Sequence, residues 1–391
     1  MVGADVVVVG GGIVGAACAD ALAALGAEVV LLERTELAAG ASGRNQGLHL
    51  TPVDPALVPM ARASLRRWLT LAEDPPFPFL LDHEPVGCLL VGDADGLAAA
   101  REEAAAAGAA GVAIEELGGE ELRRLEPELA PDLAGGFLLT DGHRLDPLAL
   151  TVALAHRARR RGAEIRTGRP ARRLLVRGTA VRAVVTDDGV LEAGTVVLAA
   201  GPWSAPLAAG AGVALPVSGT RGWLVHVDPG RPLLSRIVED AGRRLWREPP
   251  APVRAGDLAG SPPRPDIGSI LHPSPDGSVV LGASREPHLS DHLLDPEVPR
   301  GIVRRATRLV PGLAAAAVRA AWWGVRPTTP DERPLVGSVA EGLLAATGHG
   351  SEGVILAGGT AELVAALVSG AEPPFDPAPF HPARFAPGGG A

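Results

Sequence analysis

Apolar positions near the start of the chain come in short unbroken runs rather than in alternation. Val6–Val9 is β-branched throughout, the pattern of a parallel strand buried on both faces. Glycines at 10, 11, 12 and 15 break the run, and Val14–Leu25 then reads as a helix that stops at Gly26, a residue suited to a C-cap. Val29–Leu32 is a second strand ending at Glu33, so the opening stretch predicts one βαβ unit.

Further along, Leu37–Pro55 is a loop of small residues, Pro59–Leu71 a helix, and Asp74–Pro78 a proline-rich linker to a strand at Val86–Val91. Gly96–Ala107 reads as helix, and Gly119-Glu120-Glu121 starts another. Asp146-Pro147 looks like an N-cap and first helical position, with the helix running to Arg161 and stopping at Gly162. Two strands meet at an Asp187-Asp188-Gly189 turn, and Thr195–Ala200 reads as a separate buried strand ending at Gly201. Residues 216–320 hold shorter strands such as Gly222–Val227 and Val279–Gly282. Between them the proline-rich Pro249–Pro265 is either a loose insertion or a lid over a binding mouth. The tail returns to strand (Gly342–Ala346), glycine-rich turn (Thr347–Gly353) and helix (Val354–Val368).

Composition narrows the function. With 36 basic against 45 acidic residues the net charge is −9, which excludes a general nucleic-acid or polyanion binder. All the basic residues are Arg, so no Lys can form a Schiff base, and the absence of Tyr removes a phenolic acid or base. Two cysteines, Cys18 and Cys88, build neither a disulfide framework nor a zinc cluster, which fits a reducing compartment and no metal. No basic leader and no membrane-length apolar run is evident, and a cytoplasmic protein without a membrane span is expected. The one Asn and the one Gln are adjacent, Asn45-Gln46, inside a glycine-rich turn, which suggests a hydrogen-bonding role there.

Gly10-x-Gly12-x-x-Gly15 carries the clearest chemistry. Gly10 permits a tight turn, Gly12 lets a pyrophosphate approach helix N-terminal N–H groups, and Gly15 allows close helix–strand packing. Glu33 stands where a carboxylate accepts both ribose hydroxyls and repels a 2′-phosphate. The pattern predicts a dinucleotide site without choosing between NAD and FAD.

Five stretches taken together, GGGIVG, GASGRNQG, VVLAAGPWS, GVRPTTPDERPLVG and TGHGSEGVIL, with the ending FDPAPFHPARF, resemble the D-amino acid oxidase family of flavoproteins. That family includes glycine oxidase, sarcosine oxidase and amino acid dehydrogenases. The resemblance runs from end to end, is specific for the family and says little about substrate. It implies an α+β fold: a Rossmann-like FAD-binding domain of residues 1–82, 144–215 and 321–391, and a discontinuous mixed-sheet substrate domain of residues 83–143 and 216–320. The flavin ring is expected at their interface.

The resemblance also implies roles. Glu33, Arg34, Ala171, Gly201 and Trp203 would lie along the cofactor, and the loop holding Ser42, Arg44, Asn45 and Gln46 would follow the pyrophosphate towards the flavin. Arg44 is either a phosphate ligand or a solvated surface residue. The turn Gly348, His349, Gly350, Ser351, Glu352, Gly353 would face the flavin pyrimidine edge, with His349 a base or a turn-shaping hydrogen-bonding group. Arg326 would hold a substrate carboxylate, the alternative being an ion pair with Asp331 or Glu332. Arg326-Pro327-Thr328-Thr329 stands where some members attach FAD through Cys, so non-covalent FAD is expected. The implied reaction is oxidation of a small amine or amino acid, with hydride passing from the carbon bearing nitrogen to flavin N5 and water hydrolysing the imine. Oxygen or another acceptor, including a partner subunit, would take the electrons, and a homo-oligomer fits as well. The alternative reading is a dehydrogenase subunit or a biosynthetic tailoring oxidase acting on a larger, carrier-tethered amine.

Overall fold

The computed structural model describes residues 3–240, 265–287 and 295–386. Apart from Pro265, the proline-rich stretch Pro249–Pro265 lies outside them. Two mixed sheets carry the architecture. In the first, the order is Leu335–Ala340, Leu343–Thr347, Gly189–Leu198, Gly3–Val9, Val29–Leu32, Glu164–Arg166. Neighbours are parallel except for the first pair. Strands Ala180–Thr186 and Arg173–Arg177 branch off antiparallel from Gly189–Leu198.

The unbroken apolar runs find their reason here. Val6, Val8, Val29 and Leu31 face a core shared with helices, whereas Val7, Val9, Val30 and Leu32 face a second core under the branched hairpin. Both sides of the sheet are dry, so no polar alternation is tolerated. Helix Ile13–Ala24 is alanine-rich and buried nearly all round. It lies against helices Pro147–Arg160 and Gly353–Ser369, and the latter also packs on helix Val58–Glu73.

The expected separate strand at Thr195–Ala200 needs correction, because Gly189–Leu198 is one continuous strand. Gly194, inside it, lets this strand lie close to the Asp5 carbonyl, where an added Cβ would stand 2.9 Å from the oxygen.

The second sheet runs Ala317–Thr328, Ser218–Asp228, Val279–Pro287, Asp266–Pro273, Ile237–Asp240, Cys88–Gly92, Gly135–Leu139, Ile114–Gly118. One face packs on helix Glu297–Leu309 through Val298, Ile302 and Ala306. The other face is covered at its far end by Ala100, Ala104 and Ala107 of helix Ala94–Ala109. Ala317–Thr328 crosses the expected division at 320/321 and pairs along its whole length with Ser218–Asp228, so residues 321–328 belong to this sheet. Among the described residues no helix is long and apolar enough to cross a membrane.

One buried charge ties the first sheet's helices together. Asp20, fully buried on helix Ile13–Ala24, accepts from Arg67 at 2.8 Å, Arg157 at 2.7 and 2.8 Å, and Arg161 at 2.6 Å. These arginines come from helix Val58–Glu73 and from helix Pro147–Arg160 and its C-cap. Asp20→Asn leaves three converging guanidinium groups without their anion. It should destabilise the protein by about 3 kcal/mol, discounted for the partial exposure of the arginines. Denaturant unfolding of the FAD-loaded protein measures this, and a loss below about 0.5 kcal/mol would mark the cluster as a surface-type pair.

Candidate active site

A cavity of about 870 Å³ lies between the two sheets, within the range of small-molecule sites. It runs from Gly10, Glu33 and Arg34 at one end to Arg326 and Glu239 at the other. Of the residues singled out in the sequence, it is lined by Gly10, Gly12, Glu33, Arg34, Ser42, Arg44, Asn45, Gln46, Ala171, Gly201, Trp203, Arg326, His349, Gly350, Ser351, Glu352 and Gly353. Gly15 and Gly348 are not on its wall and shape the backbone behind it.

At the strand end, Gly10 takes φ +116° and a Cβ on Gly15 would collide with the Gly10 carbonyl oxygen. The helix therefore begins directly against the sheet, with Gly12 as its N-cap. Ser42 reaches across from the next loop, and its Oγ accepts from the Ile13 N–H at 2.9 Å. A hydroxyl that accepts in this way still has a proton to donate to an anion. Glu33 is fixed at the end of its strand: its carboxylate accepts from the Gly11 N–H at 2.7 Å and from the Thr35 N–H at 2.8 Å. Arg34 lies over the Trp203 ring, 3.6 Å from its centroid, a cation–π stack at the mouth.

The carboxamides of Asn45 and Gln46 do form hydrogen bonds, and the partners seen are backbone. Asn45 Nδ2 donates to the carbonyls of Ser42 at 2.8 Å and Ala41 at 3.1 Å, while its Oδ1 accepts from the Gly47 N–H at 2.8 Å, closing the loop on itself. Gln46 Nε2 donates to the Ile270 carbonyl at 3.0 Å and the Val280 carbonyl at 3.2 Å, which fastens the loop to the second sheet. Arg44 is exposed and donates to the Trp323 carbonyl at 3.3 Å, while Trp322 Nε1 donates to the Arg44 carbonyl at 3.2 Å.

The turn before the last helix is built on Gly348 (φ +78°) and Gly350 (φ +55°), and the Gly350 N–H donates to the Pro327 carbonyl at 2.7 Å. Gly201, at φ +56°, receives the Thr347 hydroxyl on its carbonyl at 3.0 Å. Ser351 is exposed, and its hydroxyl donates to Glu352 at 3.1 Å. Gly353, Val354 and Ile355, the first residues of the helix, line the cavity. His349 is buried and its Nε2 meets Thr360 Oγ1 at 2.9 Å; burial pushes its pKa down to about 3. A neutral imidazole engaged with a hydroxyl shapes the turn, and it is a poor proton acceptor at neutral pH.

Arg326 reaches the cavity from the second sheet. Its Nη1 donates to the Ser284 carbonyl at 3.0 Å, and its guanidinium fills the space beside Gly222 that a Cβ there would occupy. The ion pairs considered from sequence go elsewhere: Asp331 pairs with Arg384 at 2.7 Å and Glu332 with Arg285. Enclosure and the Arg285 charge push the Arg326 pKa down to about 10, still a cation at neutral pH. Behind it, Ser284 Oγ accepts from the Trp223 N–H and donates to Glu286 at 3.0 Å, and Glu286 pairs with Arg221 at 2.9 Å. Sequence reading missed Glu239, a buried carboxylate on the cavity wall whose pKa burial and then the Glu352 charge raise to about 8. Its signal was an acid closing the β-branched run Ile237-Val238.

Residues 5–367 match the family described as DAO, FAD dependent oxidoreductase. The chain belongs to that family. This oxidoreductase is 29% identical over 404 residues to glycine oxidase from Geobacillus kaustophilus, with 97% of each chain covered. It is 31% identical over 273 residues to hydrogen cyanide synthase subunit HcnC from Pseudomonas aeruginosa, covering 68% of this chain and 59% of that protein. A D-amino acid dehydrogenase from Rhizobium rhizogenes is 30% identical over 296 residues, covering 74% of this chain and 65% of that one. Against these last two, the chain spans about three fifths of the relative's length. Among solved structures, Geobacillus kaustophilus glycine oxidase superposes with a TM-score of 0.85 at 26% identity, covering 99% of this chain and 100% of that one. The donor set fits FAD: a helix N-terminus for the pyrophosphate, a strand-end carboxylate for a ribose, and a cavity continuous from there to the second sheet.

Gly15→Ala should give a folded protein with little bound flavin, because its Cβ displaces the Gly10 turn. Flavin absorbance per mole of purified protein measures this, and full occupancy would show that the turn yields. A second expectation concerns acid. His349 (about 3), His49 and His272 (both about 4) all lie below the ordinary 6.5, chiefly through burial. Between these values and 6.5 the unfolded chain binds more protons than the folded one, so stability falls as pH falls through that window. Each group contributes at most about 1.4 kcal/mol per pH unit. His349→Gln, with an amide in place of Nε2 towards Thr360, should flatten the pH dependence of Tm below 6.5. Parallel curves would assign the acid sensitivity to other groups.

Proposed function

We propose that this enzyme oxidises a small amino acid or amine. The first sheet and its helices hold FAD non-covalently, and the second sheet presents the substrate. The observation that carries this reading is Arg326, a cation at neutral pH that faces the cavity with a backbone anchor and a glycine beside it to make room. A guanidinium offers a planar two-pronged match to a carboxylate, and enclosure strengthens that contact. The similarity to proteins named glycine oxidase, D-amino-acid oxidase and D-amino acid dehydrogenase supports the substrate class.

In this reading FAD, when bound, supplies the two-electron oxidant. Gly10, Gly12 and the N–H groups of helix Ile13–Ala24 take its pyrophosphate, Glu33 its ribose hydroxyls, and Arg34 on Trp203 shields that end. Ser42 and Arg44 extend the polar track, and the Gly348–Gly353 turn aims helix N–H groups and a helix dipole at the end nearer Arg326. Arg326 binds and orients the substrate carboxylate. The Ser284–Glu286–Arg221 chain keeps Arg326 in place, and His349 holds the turn. The amine enters neutral, so no residue of this chain is required as a base.

Arg326→Ala should weaken a non-oxidisable carboxylate by about 1.5–3 kcal/mol, roughly tenfold to hundredfold, with FAD retained. Gly222→Ala should do the same by crowding the guanidinium without removing it. Titration of the FAD-loaded variants, followed by the flavin visible spectrum, gives the affinities. Unchanged affinity in both would assign Arg326 to a structural role.

A further inference from the structure

A second, smaller cavity of about 350 Å³ lies where four segments meet. Helix Val58–Glu73 supplies Arg62, the chain after helix Ala94–Ala109 supplies Gly111, and the turn between strands Gly135–Leu139 and His143–Arg144 supplies Asp141. The residues after strand Leu48–His49 supply Thr51, which also lines the first cavity, so the two spaces share a wall.

Asp141 is only half used by the chain. Its Oδ2 accepts from the Thr51 N–H at 2.9 Å, whereas its Oδ1 is buried with no hydrogen-bond partner among the described residues. A buried acceptor in that state is destabilising until a donor from outside the chain reaches it. Arg62 brings the opposite charge to the same space. Its Nη2 donates to the Ala110 carbonyl at 2.9 Å, and Gly111 leaves it room, since a Cβ there would stand 2.9 Å from that nitrogen. A guanidinium has further N–H groups to donate beyond that one bond.

The backbone between the two charges is short. Gly111 is two residues, at most about 7 Å, from Ala113, whose carbonyl accepts at 3.2 Å from the N–H of Thr140, the neighbour of Asp141. A molecule with adjoining ammonium and carboxylate groups, held by a charge-assisted hydrogen bond of about 2.8 Å at each end, spans a gap of this order. His49, also on the wall, is uncharged at neutral pH, because burial and then the His143 charge hold its pKa at about 4. Leu65 and Val112 add apolar surface.

We propose that this cavity is a second ligand site, for a small α-amino acid in its zwitterionic form. The ammonium donates to Asp141 Oδ1 and the carboxylate accepts from Arg62. The site uses neither the flavin nor Arg326, and it stands apart from the substrate reading above.

α-Aminoisobutyrate is the probe, because it carries both charges and has no hydrogen on the carbon bearing nitrogen, so it is not oxidised. Isobutyrate, which lacks the ammonium, is the comparison. Calorimetry with the FAD-loaded protein gives both dissociation constants, and the Arg326→Ala background removes the guanidinium of the first cavity. In that background α-aminoisobutyrate should bind about tenfold more tightly than isobutyrate. Adding Asp141→Asn, which keeps an oxygen for the Thr51 N–H, should weaken α-aminoisobutyrate about tenfold, and adding Arg62→Gln should do the same, with flavin content unchanged. Binding to the wild type that Arg326→Ala abolishes supports the substrate reading and overturns this proposal, leaving a water as the partner of Asp141. No binding to either protein overturns it too, as do equal affinities for the two probes or an affinity that neither Asp141→Asn nor Arg62→Gln changes. Both substitutions made in the wild-type background read the same effects without Arg326→Ala.

Discussion

Gly15 and the Gly10 carbonyl approach so closely that no side chain fits between them, and the cofactor end of the cavity follows from that contact. Because the helix starts hard against the strand, its first N–H groups open into the cavity rather than into solvent. Ser42 can then reach the Ile13 N–H, and Glu33 on the neighbouring strand can receive the Gly11 N–H. The same closeness explains the small residues of helix Ile13–Ala24, which is enclosed by sheet on one side and two helices on the other. A bulkier helix would push the last helix outward, and with it the turn that forms another wall of the site.

Between the sheets the decisive element is the loop of residues 41–47. Asn45 gives the loop its shape and Gln46 fixes its position, each through bonds to carbonyls that would otherwise be left polar in a partly buried place. Opposite it, an arginine-only chain of cations does the positioning. Planar forks suit such work: Arg221 on Glu286, Arg285 on Glu332 and the three guanidiniums on Asp20 each fix geometry as well as charge. The composition without lysine thus favours rigid, directed cation contacts throughout the structure.

The first sheet was legible because its signals are local. Val6–Val9, the spaced glycines and Val29–Leu32 each announce their element within a few residues, and Asp146-Pro147 marked a helix whose cap bond, Asp146 Oδ1 to the Ala149 N–H at 2.9 Å, is present. The merged strand Gly189–Leu198 was not legible, since Gly194 serves a neighbour nearly 190 residues away in sequence. Gln46 illustrates the same limit at the site. Its rarity in the composition marked it as a hydrogen-bonding residue, but its partners lie 224 and 234 residues along the chain. Strand Ala317–Thr328 carries exposed apolar residues at one end and cavity residues at the other, so no single periodicity marks where it belongs. Glu239 escaped notice because an acid after Ile237-Val238 looks like the polar end of a strand, and only the fold turns that end inward.

The arrangement of the first sheet also dictates an order of events in time. Strand Gly3–Val9 is made well before its neighbour on one side, Gly189–Leu198, which follows some 180 residues later, and helix Gly353–Ser369, which covers helix Ile13–Ala24, follows later still. At roughly 5–20 residues per second the opening βαβ unit waits for many seconds with apolar surface uncovered. Pairing between such distant segments is slow in its own right, because loop closure precedes any gain in contacts. The cavity draws its wall from Val9 through to Ile355, so that wall is complete only once these distant segments have all been made.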